Sequence, residues 1–97
     1  MKIKKEIENA CLIISLDGRL DTSTAPELER EIGDLGGYTE LVLDMTNLEY
    51  ISSAGLRVIL KAQKAMNKKG KLVIKNVSES IKEIFDITGF SDFLTIE

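Results

Sequence analysis

Between Leu41 and Lys75 the hydrophobic pattern changes period twice, and this restricts the fold more than any other feature of the chain. Leu41-Val42-Leu43-Asp44-Met45 is nearly all apolar, as expected of a short strand covered on both faces. From about Ala54 to Lys69 apolar side chains recur at helical spacing instead. Leu56, Ile59, Leu60 and Met66 form one stripe, widened by Val58, Ala62 and Ala65, while Lys61, Lys64, Lys68 and Lys69 face elsewhere. Gly70 ends this helix, and Lys71-Leu72-Val73-Ile74-Lys75 reads as a strand again. Strand, helix and strand in that order predict a crossover between parallel neighbours, with the first strand at the centre of the sheet.

The flanking segments extend this unit on both sides. Ile3 to Ile7 and Cys11 to Leu16 read as strands of an opening hairpin around Glu8-Asn9-Ala10, with Leu12, Ile14 and Leu16 on one face and Ile13 on the other. Thr24-Ala25-Pro26-Glu27 has the spacing of a capping box, with proline in the first turn of a helix. Leu28, Ile32 and Leu35 carry that helix forward, and Gly36-Gly37 is expected to stop it. Its charges, Glu27, Glu29, Arg30, Glu31 and Asp34, read as a solvated face in which Arg30 with Asp34 adds a few tenths of a kcal/mol. A third helix starts at Ser78 or Ser80, the latter at capping-box spacing from Glu83. It buries Ile81, Ile84 and Phe85 and ends before Gly89. Phe93-Leu94-Thr95-Ile96 supplies a last strand. The expectation is an α/β fold, a mixed sheet packed with helices in the order β-β-α-β-α-β-α-β. At 97 residues and 43% hydrophobic content, residues 1–97 are expected to form a single domain, large enough for one core and too small for two.

Composition narrows the chemistry. With 13 basic and 16 acidic residues the net charge is -3, which gives no general attraction to nucleic acid or to an anionic membrane surface. Neither partner is expected. One cysteine, Cys11, lies in an apolar run, is expected in the core, and suits a reducing cytoplasm. Without histidine, serine or cysteine nucleophiles lack their usual base and metal sites their commonest ligand. Asp17, Asp21 and Asp44 stand at separate strand ends, so no metal or other cofactor is expected. A hydrolytic or nucleotide-binding reading, with Ser53 served by Lys61 as base, lacks both a phosphate cradle and an oxyanion motif. The chain does not read as an enzyme.

What remains is a pair of hydroxyls, Ser52 and Ser53, where strand gives way to helix. Either can be the N-cap, a role that contributes about 1 kcal/mol and needs no regulation. The same place exposes unpaired N–H groups at the positive end of the helix dipole, so an added phosphate is tolerated there. Asp21 has two readings as well: a turn residue ahead of the first helix, or an exposed acidic contact for a partner. Thr22, Ser23 and Thr24 read as turn and cap residues.

Three segments together resemble a known family. Gly18-Arg19-Leu20-Asp21 followed by Ala25, the run Leu43-Asp44-Met45-Thr46-Asn47-Leu48-Glu49-Tyr50-Ile51, and above all Ser52-Ser53-Ala54-Gly55-Leu56 are similar to the STAS-domain proteins. Within them they resemble the free-standing bacterial anti-sigma factor antagonists, essentially end to end. The resemblance implies a serine at the start of the second helix that a partner kinase, itself the anti-sigma factor, phosphorylates with ATP. Unphosphorylated antagonist binds that kinase and frees the sigma factor, and a PP2C-type phosphatase resets the switch. The commonest family signature, Asp-Ser-Ser/Thr-Gly, puts Ser53 at the acceptor position, with Ser52 in place of the aspartate and Ala54 where a second hydroxyl often stands. Ser52 is the alternative acceptor. The implied partner-binding residues are Asp21, Thr22, Ser23, Ser52, Ser53, Ala54, Gly55 and Arg57, on a cytoplasmic protein that is monomeric when free. The other role implied by the same fold is an unphosphorylated STAS subunit docked in a transporter or lipid-transport complex.

Overall fold

The computed structural model describes residues 1–33 and 35–97. Its five strands form one sheet in chain order. Strand β1 (Lys2–Glu8) runs antiparallel to β2 (Cys11–Leu20), and β2, β3 (Glu40–Ile51), β4 (Lys71–Lys75) and β5 (Thr95–Ile96) are mutually parallel. Helices α1 (Ala25–Ile32), α2 (Ser53–Asn67) and α3 (Glu79–Thr88) fill the three crossovers, α3 with a short 3-10 turn at Phe90–Asp92 behind it. Every crossover steps one strand in the same direction. Right-handed connections of one sense put all three helices on one face of the sheet.

The core follows from that arrangement. Cross-strand rows Leu12, Leu41, Leu72 and Ile14, Leu43, Ile74 point to the helices and share one buried cluster with Leu28, Ile59, Met66, Ile81 and Phe85. On the opposite face a row of Ile13, Val42 and Val73 lies outside that cluster. Strand β3 is central, as its composition predicts, and Val42 is only 6% exposed.

Strands β2 and β3 run further than their hydrophobic pattern suggests, to Leu20 and Ile51. Ser15 pairs with Asp44 but Asp17 with Asn47, and Gly18 pairs with Leu48 but Arg19 with Tyr50. At each shift β3 carries one residue more than β2. A bulge resets which side chains face inward, so regular alternation ends at Leu16 and Met45 although the ladder continues. Helix α1 is shorter than its pattern, ending at Gly33 with φ 64 rather than at Gly36-Gly37. Leu35 reaches the core from the following loop, at 2% exposure. The Arg30–Asp34 pair falls outside the described residues.

Several smaller features differ from or sharpen the sequence reading. Cys11 is half-buried at the head of β2 and not in the core; burial, then the nearby Glu40 and Glu8 carboxylates, push its thiol pKa up. Ala65 is exposed. Ser78 caps α3 by accepting a hydrogen bond from Ile81 N at 3.3 Å, and Gly89, at φ 83, closes it. Gly70, after α2, lies so near the loop before β3 that an added Cβ would stand 1.7 Å from the Thr39 carbonyl oxygen. That carbonyl accepts a hydrogen bond from Lys71 N at 3.1 Å.

Candidate functional site at the start of α2

The C-terminal ends of β2 and β3 lie side by side, and both chains turn there into helices. Ser52 N donates to Leu20 O at 2.9 Å, which pins the entry to α2 against the end of β2. Gly55 makes this approach possible. A Cβ at that position would meet Leu20 Cγ at 2.7 Å, Leu20 Cδ2 at 2.9 Å and Ile51 Cγ1 at 3.0 Å, and Leu20 is fully buried. Alanine gains about 1 kcal/mol of helix propensity over glycine, but overpacking costs about 1–3 kcal/mol. Gly55→Ala is therefore expected to lower the urea midpoint with an unchanged slope; a raised midpoint would show that the site relaxes freely.

The two serines have different surroundings. Ser52 is extended (φ -99, ψ 176) and takes the N-cap position, its carbonyl accepting from Leu56 N at 2.9 Å. Its hydroxyl does not cap. Among the described residues Ser52 Oγ is buried and without a hydrogen-bond partner. Ser53 is the first residue of α2 and exposed, with no acidic side chain in the first turn of the helix. Arg57, one turn further on, is also exposed. An N-cap serine normally loses about 1 kcal/mol on truncation to alanine. Ser52→Ala is expected to lose nothing, because it removes a buried, unpaired hydroxyl; a drop of 1 kcal/mol or more in denaturant-derived stability would show that the hydroxyl caps after all.

The neighbouring turn is built on Asp21. Its Oδ1 accepts from Ser23 N at 3.0 Å, Ser23 Oγ at 2.8 Å and Thr24 N at 3.3 Å, and its carbonyl accepts from Ala25 N at 2.8 Å. This is the work of an N-cap, three residues before the capping box read from the sequence. Thr24 makes no such bond; its Oγ1 donates to Arg19 O at 2.8 Å and accepts from Asp21 N at 2.9 Å. The Ser23 hydroxyl, followed by the Ser23 and Thr24 N–H groups, holds the Asp21 carboxyl below the usual aspartate range. A depressed folded-state value stabilises the fold fully above the unfolded value, about 3.9, and the contribution is lost as pH falls through the lower folded value. Asp21→Asn is thus expected to be less stable than the parent at pH 7, with the gap closing as the pH falls below the unfolded aspartate value and through the lower folded one. Parallel denaturation curves across that range check it, and a constant gap would exclude the carboxylate as its source.

Thr22, Ala25, Pro26, Ala54, Arg57 and Val58 line a cleft of about 250 Å³ between the starts of α1 and α2, together with Lys61 and Glu29, which form an ion pair at 2.7 Å. Of the residues singled out in the sequence, Thr22, Ala54 and Arg57 meet in this cleft, whereas Gly55 is buried beneath the site. Thr22 and Ser23 are exposed and Asp21 is half-buried. The Arg19 guanidinium lies over the Tyr50 ring, 4.4 Å from its centroid, a contact that the sequence pattern does not indicate. Their pairing depends on the two β2–β3 register shifts, which leave no periodic trace in the sequence. No group of three metal-ligating side chains occurs among the described residues, nor is any of their helices long and apolar enough to cross a membrane.

This geometry can be set beside that of known proteins. The chain is 37% identical over 93 residues to BtrV of Bordetella bronchiseptica, named as an anti-sigma factor antagonist, covering 93% of this chain and 80% of that one. It is 35% identical over 86 residues to the anti-sigma-B factor antagonist of Staphylococcus epidermidis, covering 86% and 80%. The fold matches the Bacillus cell-fate determinant SpoIIAA, solved in its phosphorylated form, with a TM-score of 0.78 at 18% identity, over 99% of this chain and 91% of that one. The STAS domain family profile matches residues 2–97. With the fold, the curated relatives and the family profile in agreement, the chain belongs to the STAS-domain family.

Proposed function

We propose that this protein is an anti-sigma factor antagonist, binding an anti-sigma factor that is also a serine kinase and released from it by phosphorylation at Ser53. The observation that carries this reading is the pair of environments at the start of α2. Ser53 offers an exposed hydroxyl at the electropositive end of the helix, while the Ser52 hydroxyl is shut away. The names of the Bordetella and Staphylococcus relatives support the antagonist role, and the existence of a phosphorylated form of SpoIIAA supports a switch of this kind. The chain itself performs no catalysis in this scheme. The partner kinase transfers the γ-phosphoryl group of ATP to Ser53 Oγ, releasing ADP and the hydroxyl proton, and a PP2C-type phosphatase later hydrolyses the ester with water to serine and inorganic phosphate. All of this takes place in the cytoplasm.

The physical basis of release is charge. A phosphoserine adds about -1.5 to -2 charge where the hydroxyl stood. In the free protein the positive helix end accommodates it, and Arg57, at i+4, lies on the same helical face. In the complex it would have to enter a desolvated interface. The face around it, made of Asp21, Thr22, Ser23, Ala54 and Arg57, is the proposed docking surface, ordered on the free side by the Asp21 turn. Incubation with ATP and each candidate anti-sigma kinase, followed by mass-spectrometric mapping, tests the proposal. Phosphate on Ser53 is expected; phosphate on Ser52 alone would reassign the acceptor. Stable partner binding with no phosphate on either serine would favour constitutive docking of the kind found in transporter-associated STAS subunits.

A further inference from the structure

The outer edge of β1 is chemically complementary to itself. Strand β1 stands at the end of the sheet, and among the described residues it pairs with β2 alone. Its sequence, Lys2-Ile3-Lys4-Lys5-Glu6-Ile7-Glu8, carries lysines in the first half and glutamates in the second. Run antiparallel against a second copy about Lys5, it places Lys2 opposite Glu8, Ile3 opposite Ile7 and Lys4 opposite Glu6. The register with β2 assigns faces to these pairs. Lys2, Lys4, Glu6 and Glu8 share the helix-free face with Asp17, Ser15, Ile13 and Cys11, and Ile3, Lys5 and Ile7 lie on the helix face with Leu16, Ile14 and Leu12. We propose that two copies of this chain associate through their β1 edges about a twofold axis at Lys5, forming one continuous sheet.

Three observations favour this occupant. Ile7 is 60% exposed, and Ile3 of a second copy would cover it. The two Lys5 side chains at the axis are not bare like charges, because each Nζ stands 3.9 Å from Oε2 of Glu31 on its own α1. The charge order also selects one register. Sliding by two residues in one direction sets Lys4 against Lys4, in the other Glu6 against Glu6, and a parallel arrangement sets like against like throughout. Lysines on an edge strand ordinarily discourage pairing, but that defence depends on an excess of one sign. Here both signs alternate with apolar residues in an order that attracts its own antiparallel image. Centring on a residue keeps outward-facing N–H and C=O groups opposite one another, so the ladder can form. The Ser53 site lies beyond β3, two strands away, and stays open in both copies.

Sedimentation of the full chain over a concentration series tests the inference, alongside two charge variants. Lys2→Glu with Lys4→Glu makes the helix-free face of β1 wholly acidic; Glu6→Lys with Glu8→Lys makes it wholly basic. Wild type is expected to dimerise, more weakly as salt rises, and each variant alone to dimerise at least about tenfold more weakly. An equimolar mixture of the two variants should restore association. The altered side chains are all exposed, and circular dichroism verifies that each variant is folded. Wild type that remains the monomer expected from its sequence at millimolar concentration overturns the proposal. So do folded variants that associate as tightly as wild type, or a mixture that fails to recover.

Discussion

If the proposed function holds, Ser53→Asp is expected to weaken binding to the anti-sigma kinase by about two orders of magnitude, while Ser53→Ala binds like the unmodified protein and accepts no phosphate. An unpaired charge carried into a desolvated interface costs about 3–5 kcal/mol, equivalent to roughly two to three orders of magnitude in affinity. A carboxylate brings one charge where a phosphate brings about -1.5 to -2, so the aspartate variant falls at the lower end of that range. The same substitution acts differently on the free protein. Ser53 is the first residue of α2, where a negative side chain gains about 0.3–1 kcal/mol from the helix dipole. Binding should therefore collapse while the melting temperature holds or rises slightly, a combination that a folding defect cannot produce. Calorimetric titration beside thermal denaturation reads both. Equal affinities for the alanine and aspartate variants would remove charge as the means of release.

The largest loss of stability is expected from Gly70→Ala, far from the switch. A Cβ there would sit 1.7 Å from the Thr39 carbonyl oxygen and 2.6 Å from its carbon, so neither can be avoided by rotating a side chain. The loops before β3 and β4 must separate, and with them goes the hydrogen bond from Lys71 N to Thr39 O that starts this parallel pair. Backbone-against-backbone overpacking of this kind costs about 3 kcal/mol or more, a large share of the roughly 5–15 kcal/mol that holds a small domain together. For a chain of this size that corresponds to a fall of roughly 15 °C in melting temperature. A melt within about 3 °C of the parent would mean that the two loops part cheaply.

Much of the architecture was legible because neighbouring signals agreed. The two changes of period between Leu41 and Lys75 located β3, α2 and β4, and the order of elements followed once capping serines and terminal glycines were added. Legibility failed where geometry departs from a regular repeat. The bulges opposite Asp17 and Arg19 hid the outer halves of β2 and β3 and concealed the Arg19–Tyr50 contact. At α1 the capping box pointed to Thr24, but the Thr24 hydroxyl is already engaged by Arg19 O and Asp21 N, while the Asp21 carboxylate caps the turn before it through Ser23 N and Thr24 N. Leu35 continued the helical spacing of α1 and is buried, yet it enters the core from a loop with φ 56 after Gly33 has ended the helix. At the candidate site, the two serines were visible as residues. Which hydroxyl faces solvent could not be read from spacing, since adjacent positions at a strand-to-helix corner share no simple periodicity.

The acid-free opening of α2 bears on how sharply the two states of such a switch differ. Where an aspartate precedes the acceptor, the amide dipoles at the helix tip are already partly satisfied by a resident anion before any modification. With Ser52 in that place, no acidic side chain stands in the first turn, and a phosphoryl group on Ser53 would be the first negative charge there. Phosphorylation of Ser53 would therefore take the helix tip from no acidic side chain to a compensated one, so that the sign of the local charge, and not only its size, differs between the two states.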